Sequence, residues 1–190
     1  EGLRLGSLGR LHTQKGYDIL IDALEILKKR GFTAPVPFEI LIAGDGLDRD
    51  KILLRAQFAG VAHQIHLVGY ADNSQEFLAS LHVYLQPSRA EGFAIAVHEA
   101  MQVGLPVIAS AVGQIQYTVQ DRRSGWLVPP CNIAALADAL ADALSHPEKL
   151  AEMGQVAKAS VYPRYSAEAF RHHGESILER LNAIRLDQLK

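Results

Sequence analysis

The chain has 190 residues, 48% hydrophobic and 21% charged, which reads as one soluble globular domain with room for a substantial core. A net charge of −2 gives no bulk attraction to nucleic acid or an anionic membrane, so any anion site must be local. The single cysteine, Cys131, excludes an internal disulfide framework or a multi-cysteine metal site and fits a reducing compartment.

Glu1-Gly2-Leu3-Arg4-Leu5 has no signal-peptide shape and no initiator Met, and it enters a strand at once. The chain is therefore expected to be cut from something longer. No apolar run reaches the roughly 18 residues of a membrane-spanning helix. Leu3–Leu8 is expected as a strand. Tyr17–Arg30 carries Ile19, Leu20, Ala23, Leu24 and Leu27 at helical spacing, and Gly31 stops it. Phe38–Ala43 is a second strand, followed by Gly44-Asp45-Gly46 and a helix over about 48–59 closed by Gly60. Ile65–Val68 is a third strand, Glu76–Ser80 a short helix, and His82–Gln86 a fourth strand ending at Pro87. A helix over 93–103 follows, with Gly104 as its stop, then a strand at Pro106–Ser110 and a short helix near 114–120. Strand Trp126–Val128 completes the alternation, and Ile133–Leu144, Pro147–Val161 and Ser166–Arg185 are terminal helices. Such strand–helix alternation predicts an α/β class, Rossmann-like doubly wound parallel sheet. Ligands of such sheets sit at the carboxyl ends of the strands.

The first strand runs into Gly9-Arg10-Leu11-His12-Thr13-Gln14-Lys15-Gly16, where two cations five apart can close around one anion or simply be solvated. Gly44-Asp45-Gly46 follows the second strand rather than the first, and Arg49 stands where the dinucleotide fingerprint needs a third Gly. A dinucleotide dehydrogenase is therefore disfavoured.

The fourth strand delivers Glu91-Gly92-Phe93-Ala94-Ile95-Ala96-Val97-His98-Glu99. Six of the seven residues between the two carboxylates are apolar or Gly, unlike a solvated helix face. An ionised group in an apolar surround is costly unless something partners it. Placed at a helix start, free amides at Gly92, Phe93 and Ala94 would favour a phosphate. Eight helical rises would separate the two backbones by about 12 Å, a span suited to an elongated ligand. The structural alternative is a helix-start carboxylate at Glu91 and an arginine partner for Glu99.

Together these pieces resemble the C-terminal, donor-binding domain of the retaining GT-B glycosyltransferases of the family 4, or group 1, type, over about residues 3–160. The pieces are Gly9-Arg10 with Lys15-Gly16, Ala43-Gly44-Asp45-Gly46, Pro87-Ser88-Arg89-Ala90-Glu91-Gly92-Phe93 through Glu99 to Ser110, and Gly125-Trp126-Leu127-Val128-Pro129-Pro130. The resemblance implies the C-terminal half of a GT-B fold, with a nucleotide-sugar-binding domain at 1–165 and a C-terminal helix at 166–190. That helix would pack toward an N-terminal domain outside this chain and leave an exposed apolar patch.

By the same resemblance, Glu91 would hold hydroxyls of the donor sugar and Glu99 the ribose. Arg10 and Lys15 would bind the diphosphate and stabilise the leaving nucleotide, with Gly9, Gly44 and Gly92 lining the site. The amides of Phe93, Ala94 and Ile95 would assist, and backbone near Val68, Gly69 and Tyr70 would face the base. The implied activity is metal-independent transfer of a hexose-type sugar from a UDP or GDP donor in glycan biosynthesis. No cofactor is expected. The acceptor class is a sugar, lipid or polysaccharide, and the location is cytoplasmic or peripheral to the inner membrane face. The chain alone would bind nucleotide without transferring sugar. A non-catalytic nucleotide- or protein-binding module, or another GT-B member such as a sugar-nucleotide epimerase or phosphorylase, are the alternatives. Three positions depart from the pattern: Ala94 and Leu47 replace the usual Gly and Pro, and Gly113-Gln114-Ile115-Gln116-Tyr117 replaces a G-G-x-P-E loop.

Other polar features read as structural. Asp48-Arg49-Asp50 is a D-x-D, but in a helix's first turn, where the dipole favours Asp. His172 and His173 read as solvated, His98 as turned about 100° from Glu99, Trp126 as core, and Cys131 as no nucleophile. His12 stays of interest because it lies in the presumed phosphate loop.

Overall fold

The computed structural model describes residues 2–165 and 167–187. Six strands form one parallel sheet: β1 (Leu3–Leu8), β2 (Phe38–Ala43), β3 (Ile65–Gly69), β4 (Val83–Gln86), β5 (Val107–Ser110) and β6 (Gly125–Val128). Their order across the sheet is β3-β2-β1-β4-β5-β6. The helices among the described residues are α1 (Tyr17–Lys29), α2 (Arg49–Ala59), α3 (Ser74–Ala79), α4 (Ile95–Gln102), α5 (Ile115–Thr118), α6 (Ile133–Ser145), α7 (Pro147–Tyr165) and α8 (Ala167–Asp187).

The period of two along each strand divides the core into two layers. Leu3, Leu5, Ile40, Ile42, Val83, Leu85, Ile108 and Trp126 face one side and pack with α1, α2 and α6. Tyr84, Val107 and Ala109 face the other and pack with α3, α4, α5 and α7. Both faces are covered, which is why β4 and β5 are buried at every position.

Local chemistry sets the helix ends. Gly31 at φ +68° stops α1 after Lys28 and Lys29, whose charges favour the helix's negative end. Asn73 caps α3 by accepting from the Gln75 and Glu76 amides, and Asn132 caps α6 through the Ala135 amide. The expected boundary at 165/166 falls at residue 166, outside the described residues. On α8, Phe170, Ile177 and Leu178 are exposed. None of the described helices is long and apolar enough to cross a membrane.

Candidate functional site

The chain leaves β1 toward β2 on one side and β4 toward β5 on the other, so a crevice opens between the carboxyl ends of β1 and β4. Two loops line it: residues 9–16 after β1 and 87–94 after β4. In the first, Leu11 is fully buried and anchors the chain. His12 caps a 3₁₀ turn over Thr13–Lys15, its Nδ1 accepting from the Gln14 amide at 3.2 Å. Gly16 ends the turn at φ +70°, and a Cβ there would stand 2.0 Å from the Pro87 carbonyl oxygen, so only Gly lets the two loops touch. They are also stapled. The Arg89 amide donates to Gln14 O (2.8 Å), Gln14 Nε2 to Ala90 O (2.9 Å), and the Arg89 guanidinium to Thr13 O (2.7 Å). That guanidinium also grips Asp18 with two bonds of 2.8 and 2.6 Å. Burial pushes the Asp18 carboxyl upward, but the hydrogen bonds and charge of Arg89 outweigh it and hold it below the usual range.

Glu91 is at the centre, its side chain only 9% exposed. Its Oε1 accepts from Lys15 Nζ, Gln86 Nε2 and Ser88 Oγ, each at 2.7 Å. Gln86 Nε2 also donates to Ser88 Oγ (2.8 Å), while its Oε1 accepts from the Tyr84 hydroxyl at 2.9 Å. The Leu8 amide in turn donates to that hydroxyl at 3.2 Å. This buried chain from β1 through β4 fixes both the amide orientation of Gln86 and the carboxylate of Glu91. No bond to Glu91 Oε2 is made among the described residues, so that oxygen is free to accept. Lys15 uses one of its three N–H donors on Glu91 and keeps two. Burial, with help from the Glu91 charge, raises the Tyr84 phenol and takes the neighbouring Tyr17 phenol up to about 12, so both stay neutral donors.

Helix α4 begins at Ile95, two residues later than its periodicity predicts. Ala94 is left-handed (φ +56°, ψ +57°), and a right-handed helix cannot run back through it. Two expectations change. Glu91 lies in the preceding loop rather than at the helix start, so the two-turn span of about 12 Å does not apply; Glu99 lies one turn into α4. The open first-turn amides are those of Ile95 and Ala96, rather than Gly92, Phe93 and Ala94; neither takes a partner among the described residues. Glu99 is half-buried, and no arginine pairs with it among the described residues.

Arg10 is exposed and likewise takes no partner among them. It lines a cleft with Gly9, Gly44, Asp45 and Tyr70 at the ends of β1 to β3. There the Gly44 amide donates to Gly69 O at 2.7 Å. The loop over 113–117, which departs from the family pattern, is firmly seated. Gly113 lies at φ +52°, where a Cβ would meet the carbonyl oxygen of Glu91 at 2.1 Å. The Gln114 amide donates to Gly92 O at 3.0 Å, and Ile115 is buried.

Asp48 accepts from Thr13 and Lys51 and so ties the first loop to α2. His98 and Trp126 are buried, while His172, His173 and Cys131 are exposed. Among the described residues no three His, Cys, Asp or Glu side chains gather as a metal-binding group. Sequence reasoning assigned no role to Tyr84, Gln86, Ser88, Arg89 or Asp18. A signal was present for two of them: Gln86 and Ser88 are polar residues closing the apolar strand Val83-Tyr84-Leu85, and both are buried.

A parallel, doubly wound sheet of this strand order defines a Rossmann-like domain. Residues 2–160 match the family described as "Glycosyl transferases group 1", and the chain belongs to that family as a GT-B type glycosyltransferase domain. It is 33% identical over 159 residues to a D-inositol 3-phosphate glycosyltransferase of Gordonia bronchialis, covering 80% of this chain and 34% of that protein. It is 31% identical to the amylovoran biosynthesis glycosyltransferase AmsK of Erwinia amylovora, covering 95% and 46%. Among solved structures, sucrose-phosphate synthase of Thermosynechococcus elongatus superposes with a TM-score of 0.83 at 27% identity, over 97% of this chain and 46% of that one. Anabaena HepE in complex with UDP superposes with a TM-score of 0.83 at 23% identity, over 94% and 49%, which bears on the fold alone. The chain thus spans about a third to a half of the length of these proteins.

Proposed function

We propose that this chain is the donor-binding half of a retaining, metal-independent glycosyltransferase that moves a hexose-type sugar from a nucleoside diphosphate. The observation that carries this reading is the Glu91 cluster at the switch point. One carboxylate oxygen is held by three donors and the other is left to accept, while Arg10 after β1 and Glu99 in α4 take no partner among the described residues. Glu91 Oε2 accepts from donor-sugar hydroxyls, and Glu99 from the ribose; charge-assisted bonds of this kind are strong. Arg10, the two spare N–H groups of Lys15 and the amides of Ile95 and Ala96 hold the diphosphate. Backbone at Gly69 and Tyr70 faces the base.

In transfer, the bond from the sugar's anomeric carbon to phosphate oxygen breaks, a bond to the acceptor oxygen forms on the same face, and the acceptor hydroxyl's proton passes to the departing phosphate oxygen. Negative charge then grows on the departing diphosphate, and the preorganised cations and amides stabilise it without a metal. The Gordonia and Erwinia relatives are named glycosyltransferases, which supports a sugar-transferring role. The acceptor belongs to a domain outside this chain, onto which exposed Phe170, Ile177 and Leu178 of α8 pack.

Calorimetry with UDP, GDP, ADP and their sugar derivatives, in the presence of EDTA, tests the proposal. One nucleotide series binds and raises the melting temperature, since a ligand held only by the folded state stabilises it. A folded chain that binds none of them overturns the reading. Sugar transfer by this chain alone would contradict the division of labour.

A further inference from the structure

Ala94 poses a physical question. Among the described residues only Ala94, Arg122 and Cys131 hold a positive φ without being Gly, and Ala94 is the one between Glu91 and α4. A left-handed conformation disfavours an L-residue on the order of tenfold. Yet this turn must hold, because it sets the direction in which the Ile95 and Ala96 amides leave the loop.

The neighbouring contacts converge on His98. Its ring is 4% exposed and stacks on Phe93, with centroids 4.5 Å apart and planes 9° from parallel. Nδ1 lies 3.2 Å from the Ala94 carbonyl oxygen. A carbonyl only accepts, so Nδ1 carries the proton. Nε2 lies 3.2 Å from Thr118 Oγ1 on α5 and, in that tautomer, accepts from the hydroxyl, whose single proton it shares with the Gln114 carbonyl oxygen at the same distance. Burial holds the imidazole's pKa below its ordinary value, which keeps the ring neutral with one nitrogen of each kind. One side chain therefore holds Phe93 by its face, Ala94 by its carbonyl, and the 113–118 segment by its far nitrogen.

We infer that His98 is a positioning residue: it clamps Ala94 in its left-handed turn and so presents the first-turn amides of α4 to the donor's diphosphate. This rests on the donor-site reading above. It also joins two departures from the family pattern, Ala94 and the 113–117 loop, in one device. Where Gly adopts the turn without strain, no clamp is needed; where Ala stands, His98 and Thr118 supply it.

The test is a double-mutant cycle between His98→Leu and Ala94→Gly, read in two ways on the 190-residue chain. The first readout is affinity for whichever of UDP, GDP and ADP binds the parent chain. His98→Leu weakens it about tenfold with Ala94 in place, the left-handed penalty no longer being offset. In the Ala94→Gly background the same change costs about twofold or less. The second readout needs no ligand: amide hydrogen exchange at Val97, whose N–H donates to the Ala94 carbonyl oxygen at 2.9 Å, quickens on His98→Leu and recovers in the double variant. Thr118→Val, which removes the Nε2 partner together with the hydroxyl's bond to the Gln114 carbonyl oxygen, gives the same pattern at smaller amplitude and serves if His98→Leu does not fold. Equal losses in both backgrounds, or exchange indifferent to His98, overturn the clamp. If no nucleotide binds the parent chain while the exchange pattern appears, the clamp stands and the donor-site reading falls.

Discussion

Replacing Gln86 by Leu removes the middle of the buried chain that runs from β1 to Glu91. The side chain is 2% exposed, so solvent cannot replace what is lost. Its bond to the Glu91 carboxylate is charge-assisted and is worth about 1.5–3 kcal/mol. The Tyr84 hydroxyl loses its 2.9 Å acceptor but falls back on the Leu8 carbonyl oxygen at 3.2 Å, and Ser88 keeps its bond to Glu91. Leu refills most of the volume, so little cavity cost is added. The expected loss is about 2–3 kcal/mol, read as a lower urea midpoint with unchanged slope. For a chain of this size it lowers the Tm by roughly 5–10 °C. Gln86→Glu adds the sign. It sets a second carboxylate against Glu91, and like charges at that distance raise the pair's upper pKa above the unfolded value of about 4.3. The deficit of that variant is then smallest below about pH 4 and grows as pH rises through the raised folded value. A loss under about 0.5 kcal/mol for Gln86→Leu, the range of an ordinary surface change, would refute the account, as would a pH-independent deficit for Gln86→Glu.

Three other outcomes follow from the same geometry. Arg10→Ala lowers nucleoside diphosphate affinity by roughly tenfold to a hundredfold, measured by calorimetry. It leaves the Tm within about 1 °C, because an exposed, unpaired side chain supports little of the fold. Gly113→Ala costs at least about 2 kcal/mol in urea unfolding, since its Cβ must push back the Glu91 carbonyl from a backbone conformation that already disfavours Ala. Asp142 accepts from Trp126 Nε1 at 2.7 Å and pairs with Arg122, and these hold its carboxyl below the usual range. A depressed folded pKa contributes stability above the unfolded value of about 3.9 and loses it as pH falls. The Tm gap between the parent chain and Asp142→Asn is therefore steady above about pH 5 and narrows in acid.

Most of the fold was legible because its signals are local. The apolar runs of β2, β4 and β5 mark strands covered on both faces. Gly31 and Gly60 mark helix ends by a backbone conformation that other residues resist. The start of α4 is not legible because Phe93 and Ala94 continue its apolar pattern, while the helix is broken by the left-handed dihedral of Ala94, whose carbonyl oxygen lies 3.2 Å from the His98 ring. Of the site, the charged residues were readable one at a time: Arg10, Lys15, Glu91 and Glu99 stand out against Gly-rich or apolar surroundings. Gln86 and Ser88 gave only a weak signal, as polar residues closing an apolar strand, because a polar residue at a strand's end has many ordinary partners.

The sequence by itself determined the class of sheet, the family, and which two segments carry charge to its carboxyl edge. Only the tertiary structure decided how those charges divide. Lys15 and Glu91 are 76 positions apart and meet because β1 and β4 are neighbours at the reversal of strand order. That adjacency, a long-range consequence of packing the two helical layers, takes up one oxygen of Glu91 and leaves Arg10 and Glu99 unpaired among the described residues. Local periodicity carries no record of such pairings, whereas the folded sheet fixes them at 2.7 Å.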